Sequence, residues 1–114
     1  MTAVEGRLRS ALRIALRERN VVAMGALRST LAALGNATAV QSVHLAAGGD
    51  GQIAGSVAGV GATEVPRRQL TDAEAVEIVR AEIADRTAAA EQYGRSPAAD
   101  RLRAEAALLS RILN

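Results

Sequence analysis

Residues 70–99 constrain the fold more than any other stretch. They read "LTDAEAVEIVRAEIADRTAAAEQYGRSPAA", and they hold both ends of one helix and the start of the next. Thr71 and Glu74 form a capping box, in which each side chain satisfies the other's free backbone N–H. Acids crowd the first turns, where the helix dipole favours negative charge. Val76, Val79, Ile83 and Ala90 recur at helical spacing and mark an apolar stripe. Glu82 and Arg86 stand four residues apart, a spacing that pairs charges for about 0.3–0.5 kcal/mol. Gly94 ends this helix. Ser96 then offers an N-cap, with Pro97 at the first helical position. Leu102, Ala106, Leu109 and Leu113 carry the stripe of the last helix.

The N-terminal part repeats the pattern. Val4, Leu8, Ala11, Leu12, Ala15 and Leu16 fall on one helical face. Asn20 interrupts this face and can cap a second helix. In "VVAMGALRSTLAALGNA" the residues Met24, Leu27, Leu31 and Leu34 alternate steps of three and four, and Gly35-Asn36 reads as a stop. Two helices so close in sequence imply an antiparallel hairpin. The expected fold is all-α, in one domain over residues 1–114. Four helices form two antiparallel hairpins, joined by a long Gly-rich loop over residues 38–69.

The material for a core is unusual. The chain has 26 alanines, no Phe, Trp or Cys, and Tyr93 as its one aromatic residue. Alanine favours helix and close packing but buries little area, so stability depends on many tight contacts or on a partner. The lack of cysteine excludes disulfides, thiolate zinc sites and cysteine nucleophiles. No apolar run approaches the roughly 20 residues of a spanning helix. No membrane partner is therefore expected, and a cytoplasmic location is the default. The first 20 residues are Arg-rich and amphipathic, as some organelle presequences are, but Glu5 and Glu18 argue against that reading.

The run "AAGGDGQIAGSVAGVGAT" holds six of the ten glycines. Gly49, Gly51 and Ala54 fit a dinucleotide-binding pattern. Gly55 and Gly59 spoil the helix that such a pattern needs, and no βαβ unit surrounds the match. A phosphate-binding P-loop needs lysine, and all 14 basic residues are arginine. Gly51, Gly55 and Gly59 repeat every four residues, as in packed membrane helices, but the apolar run is too short to span. A flexible spacer, or a short irregular segment against a backbone, are the readings that survive.

Little else points to reaction chemistry. His44 is the single histidine and has no clear carboxylate beside it, so catalysis or metal binding there lacks converging partners. The serines have no visible base. No catalytic residue, metal or cofactor is expected. Charge is more informative. Residues 1–37 carry a net +4 and residues 71–114 a net −2, so the two parts suit each other and leave basic surface for an anionic partner. Arg9, Arg13 and Arg17 line one face of the first helix, with Arg7 and Arg19 nearby. They read either as a stripe that contacts nucleic-acid phosphates or as a solvated face. The scarcity of aromatics speaks against single-strand binding by base stacking but leaves folded RNA open. Arg28 lies beside the second stripe and reads as a half-buried structural arginine paired with Glu82 or Glu91.

Together these segments resemble the N-terminal helical domain of the GatB/YqeY family. The resemblance rests on Leu27, Arg28 and Asn36 in "ALRSTLAALGN". It is strongest in the third helix, at Leu70, Thr71, Glu74, Glu82, Arg86, Glu91 and Tyr93, and extends to the Ala-rich "AADRLRAEAALLSRIL". It covers most of the chain outside residues 38–66. The family joins its second and third helices by a short charged stretch, so the glycine run here reads as a lineage-specific insert. The fourth helix ends "ILN" where the family has a Tyr-Leu-Pro exit. The small tail domain shared with the B subunit of the glutamine-dependent tRNA amidotransferase is not in this sequence. The resemblance implies a non-catalytic helical interaction module, linked to tRNA or to a translation-linked protein. A self-associating or protein-binding scaffold, hence a homo-oligomer, is the alternative. The family's label, a carbon–nitrogen ligase with glutamine as amido-N-donor, is a further one.

Overall fold

A computed structural model describes residues 1–50 and 69–114, with side chains described for residues 1–39 and 69–114. The described residues form four α-helices and no strand: α1 (Ala3–Glu18), α2 (Val21–Asp50), α3 (Asp72–Tyr93) and α4 (Pro97–Leu113). The chain divides into two compact units, one of Met1–Leu34 with Leu70–Asn114 and one of Gly35–Gln69.

The helix ends obey local chemistry. Thr2 caps α1, its hydroxyl accepting from the Glu5 N–H at 3.1 Å. Arg19 closes α1 in the left-handed conformation (φ 56°, ψ 39°). The Asn20 N–H donates to the Ala15 carbonyl and the Arg19 N–H to that of Leu16. That pair of bonds is a Schellman motif, with arginine where glycine is usual. Asn20 then caps α2 by accepting from the Ala23 N–H at 3.1 Å, as its position suggests. The capping box of α3 is closed in both directions, Glu74 N–H to Thr71 Oγ1 at 3.1 Å and Thr71 N–H to Glu74 Oε1 at 2.9 Å. Gly94 ends α3 at φ 63°, ψ −122°, a conformation open to glycine and hostile to L side chains. Ser96 caps α4 with Pro97 in its first turn.

The expected stop at Gly35-Asn36 is not taken. Helix α2 runs on to Asp50, so residues 38–50 are helical rather than loop. Gly35 keeps an ordinary negative φ and Asn36 stays within the helix. A glycine helps end a helix by taking a positive φ, as Gly94 does. Held in helical conformation it costs about 1 kcal/mol, and the Ala-rich run after it continues the turns. Residues 51–68, with most of the glycine run, lie outside the described residues.

The core lies in the first unit. Val4 and Leu8 of α1, Leu27 of α2, Val79 of α3 and Leu109 of α4 are almost completely buried, joined by Ala15, Ala23, Leu34 and Ala75. Full burial of each larger side chain contributes roughly 1.5–3 kcal/mol. Alanine lets the helices approach closely: Ala26, Ala90, Ala99 and Ala106 are buried as well. Thr30 is fully buried, its hydroxyl donating back to the Ala26 carbonyl at 2.8 Å. Leu16, expected on the core face of α1, is instead 44% exposed. It follows buried Ala15 by one residue, a helical step of about 100°, and so turns off the core face.

Candidate functional site

The most connected polar side chain among the described residues is Arg86. Its Nε donates to Glu105 Oε1 of α4 at 2.8 Å. One terminal nitrogen donates to Glu82 Oε1 at 2.9 Å and to the Glu82 carbonyl at 3.1 Å. The other donates to Ser29 Oγ of α2. One guanidinium therefore ties three helices, with Arg86 only 11% exposed and its partners Glu105 and Glu82 16% and 24% exposed. The rigid fork of arginine makes this possible, and lysine's single ammonium has no equivalent. The Glu82–Arg86 pair is legible as an i,i+4 spacing. Glu105 and Ser29 are not, because cross-helix partners leave no mark in local spacing.

Arg28 does not fill the role expected for it. It is exposed and has no hydrogen bond or ion pair among the described residues. Glu82 is taken by Arg86, and Glu91 is exposed. The α2 contact to this cluster comes one residue later, from Ser29, because Arg28 lies a helical step of about 100° away. The other motif residues separate by role. Leu27 is buried, Leu70 packs on the core, Thr71 and Glu74 cap α3, and Asn36 and Tyr93 are exposed.

The arginines of α1 form a second, different arrangement. Arg9, Arg13 and Arg17 are all exposed, opposite Val4, Leu8 and Ala15, so the expected face exists. Their states differ. Arg9 Nη2 pairs with Glu5 Oε2 at 2.8 Å. Arg13 has only the neutral Ser10 hydroxyl at 3.1 Å. Arg17 has no partner among the described residues, and neither do Arg7, Arg19 and Arg28. In α3 and α4, Arg80 meets Glu77, Arg103 meets Asp100 and Arg86 meets two glutamates, while Arg101 and Arg111 have no partner among the described residues.

Among the described residues no group of three or more His, Cys, Asp or Glu side chains could hold a metal, and no helix is long and apolar enough to cross a membrane. The side chain of His44 lies outside the described residues, as do the dinucleotide-pattern residues Gly51 and Ala54. A shallow cavity of about 250 Å³ lies between α1, α2 and α4, lined by Ala11, Ile14, Leu27 and Leu108 with Glu18 and Arg111. It contains one acid and one base and no nucleophile. No family model matches this chain, and neither a curated protein nor a solved structure matches it.

Proposed function

We propose that this protein is a non-catalytic helical interaction module of GatB/YqeY type that binds folded RNA, tRNA by family analogy, through the outer face of α1. The observation that carries the reading is the row of three exposed arginines at four-residue spacing on one face of α1, of which Arg9 alone has a carboxylate partner among the described residues. The arginine of the third-helix motif, Arg86, is consumed in holding helices together, so it has little left to offer an anion. The arginines of α1 are presented to solvent, and Arg13 and Arg17 have no carboxylate partner among the described residues. Exposed guanidinium groups in a row release counterions when they meet phosphates, which is the main source of nucleic-acid affinity. The family assignment rests on Leu70, Thr71, Glu74, Glu82 and Arg86. Pairing of the helices as antiparallel hairpins belongs to the same proposal, supported for α3 and α4 by their short link and the Arg86–Glu105 bridge.

Gel-shift titration of tRNA at low salt tests this. The unmodified protein should retard tRNA in the micromolar range of non-specific contacts, and Arg13→Gln with Arg17→Gln should abolish the shift. Retardation unchanged by the two substitutions would remove α1 as the binding face. A second reading has its own support: Ile14 and Val21 are 51% and 69% exposed. If they drive self-association, sedimentation mass should rise with concentration while tRNA is ignored.

A further inference from the structure

We infer that Glu5 is an intramolecular competitor for nucleic-acid phosphate, with two alternative partners at the start of α1. This rests on the proposed role of α1 as the RNA-binding face. Two helices of this protein begin with the same signature, Thr-x-x-Glu: Thr2 to Glu5 in α1 and Thr71 to Glu74 in α3. In α3 the box is closed reciprocally, Glu74 accepting from the Thr71 N–H at 2.9 Å. In α1 only half is made. The Glu5 N–H reaches the Thr2 hydroxyl at 3.1 Å, but the Glu5 carboxylate turns the other way, to Arg9 at 2.8 Å. The Thr2 N–H has no acceptor among the described residues.

Arg9, Arg13 and Arg17 stand about 6 Å apart along the axis, four residues at about 1.5 Å each. Their long side chains can reach separate phosphates of a backbone that carries one charge per about 3.4 Å of strand. In the free protein one of the three is occupied by Glu5. A phosphate that takes Arg9 displaces the carboxylate. Glu5 is not then stranded, because rotation toward Thr2 completes the capping box and satisfies a free N–H. The Glu5–Arg9 pair, with Glu5 24% and Arg9 53% exposed, lets carboxylate and phosphate compete for Arg9, which then counts for less than a full contact in the unmodified protein. Glu5 therefore sets how many phosphates the face engages.

The test compares Glu5→Gln with Glu77→Gln in tRNA titrations across salt. Both remove one carboxylate from an ion pair with arginine, Glu77 from Arg80 at 3.2 Å, so net charge changes equally. Glutamine at position 5 can still close the capping box, and circular dichroism checks that each variant is folded. One added phosphate contact steepens the log–log salt slope by about 0.7–0.9, and is worth about threefold in affinity between 50 and 200 mM salt. Glu5→Gln should show that steepening and a roughly threefold gain at low salt, and Glu77→Gln should match the unmodified protein. A Glu5→Gln titration identical to that of the unmodified protein would overturn the inference and leave the α1 reading standing. An equal gain in both variants would overturn it as a mere effect of net charge. No binding by any variant at low salt would overturn both readings. Binding of vesicles of 30% anionic lipid in place of tRNA would overturn the partner class.

Discussion

Removing the Arg86 side chain should destabilise the fold more than any other charged truncation among the described residues. Arg86→Ala leaves Glu82 and Glu105 facing one another without the cation between them and Ser29 without its α2–α3 bond. Exposed ion pairs couple by about 0.2–1 kcal/mol, and breaking a fully buried one costs about 3–5. At 11–24% exposure the cluster falls between, so a loss of about 1–3 kcal/mol is expected, part of it from the packed aliphatic stem. The measurement is urea unfolding monitored by circular dichroism, run as a double-mutant cycle of Arg86→Ala with Glu105→Gln. The coupling should be about 1 kcal/mol or more. The same cycle on Arg80 and Glu77, exposed at 64% and 70%, should give less than about 0.5. Arg86→Lys should recover only part of the loss, because one ammonium cannot replace the fork. Equal couplings in the two cycles would refute the claim that this arginine is what ties the three helices.

The two positive-φ positions, Gly94 and Arg19, should respond in opposite directions. Gly94→Ala should destabilise by about 1–3 kcal/mol, although a methyl group there would meet nothing within 4 Å, and Arg19→Gly should stabilise by up to about 1 kcal/mol. Thermal or urea unfolding reads both. Leu27→Ala should cost about 2–5 kcal/mol and Leu16→Ala less than about 0.5, the contrast arising from burial of the first and exposure of the second. All four helices should be visible as a mainly helical circular dichroism spectrum, and a sheet spectrum would contradict the architecture.

The parts of the fold legible in the sequence are those governed by local helix chemistry. Thr71 with Glu74, Ser96 with Pro97, Asn20 and Gly94 each act over three or four residues, and each falls where its spacing places it. The stripes through Leu8, Leu27, Val79 and Leu109 are legible for the same reason, since burial tracks the helical period. The end of α2 is not legible, because glycine permits a stop without compelling one. Gly35 sits in open space, and only its backbone conformation decides. By sequence Arg28 reads as the structural arginine and Arg86 as a simple i,i+4 partner of Glu82; the roles are reversed by the cross-helix position of Glu105, which no local spacing encodes. The α1 arginine face is legible as a row. That Glu5 occupies Arg9 alone among the three is a matter of side-chain choice between two partners four and three residues away.

The central claim is that α1 meets nucleic-acid phosphates with a definite number of open arginines, and the salt slope of tRNA binding counts them. Fluorescence titrations of labelled tRNA with the unmodified protein, from about 20 to 200 mM salt, measure it. Arg13 and Arg17, without carboxylate partners among the described residues, should each contribute about 0.7–0.9 to the slope. The expected slope is about −1.4 to −1.8, falling close to zero when both are changed to glutamine. Binding that is absent at low salt, or whose slope survives the loss of Arg13 and Arg17, would contradict it.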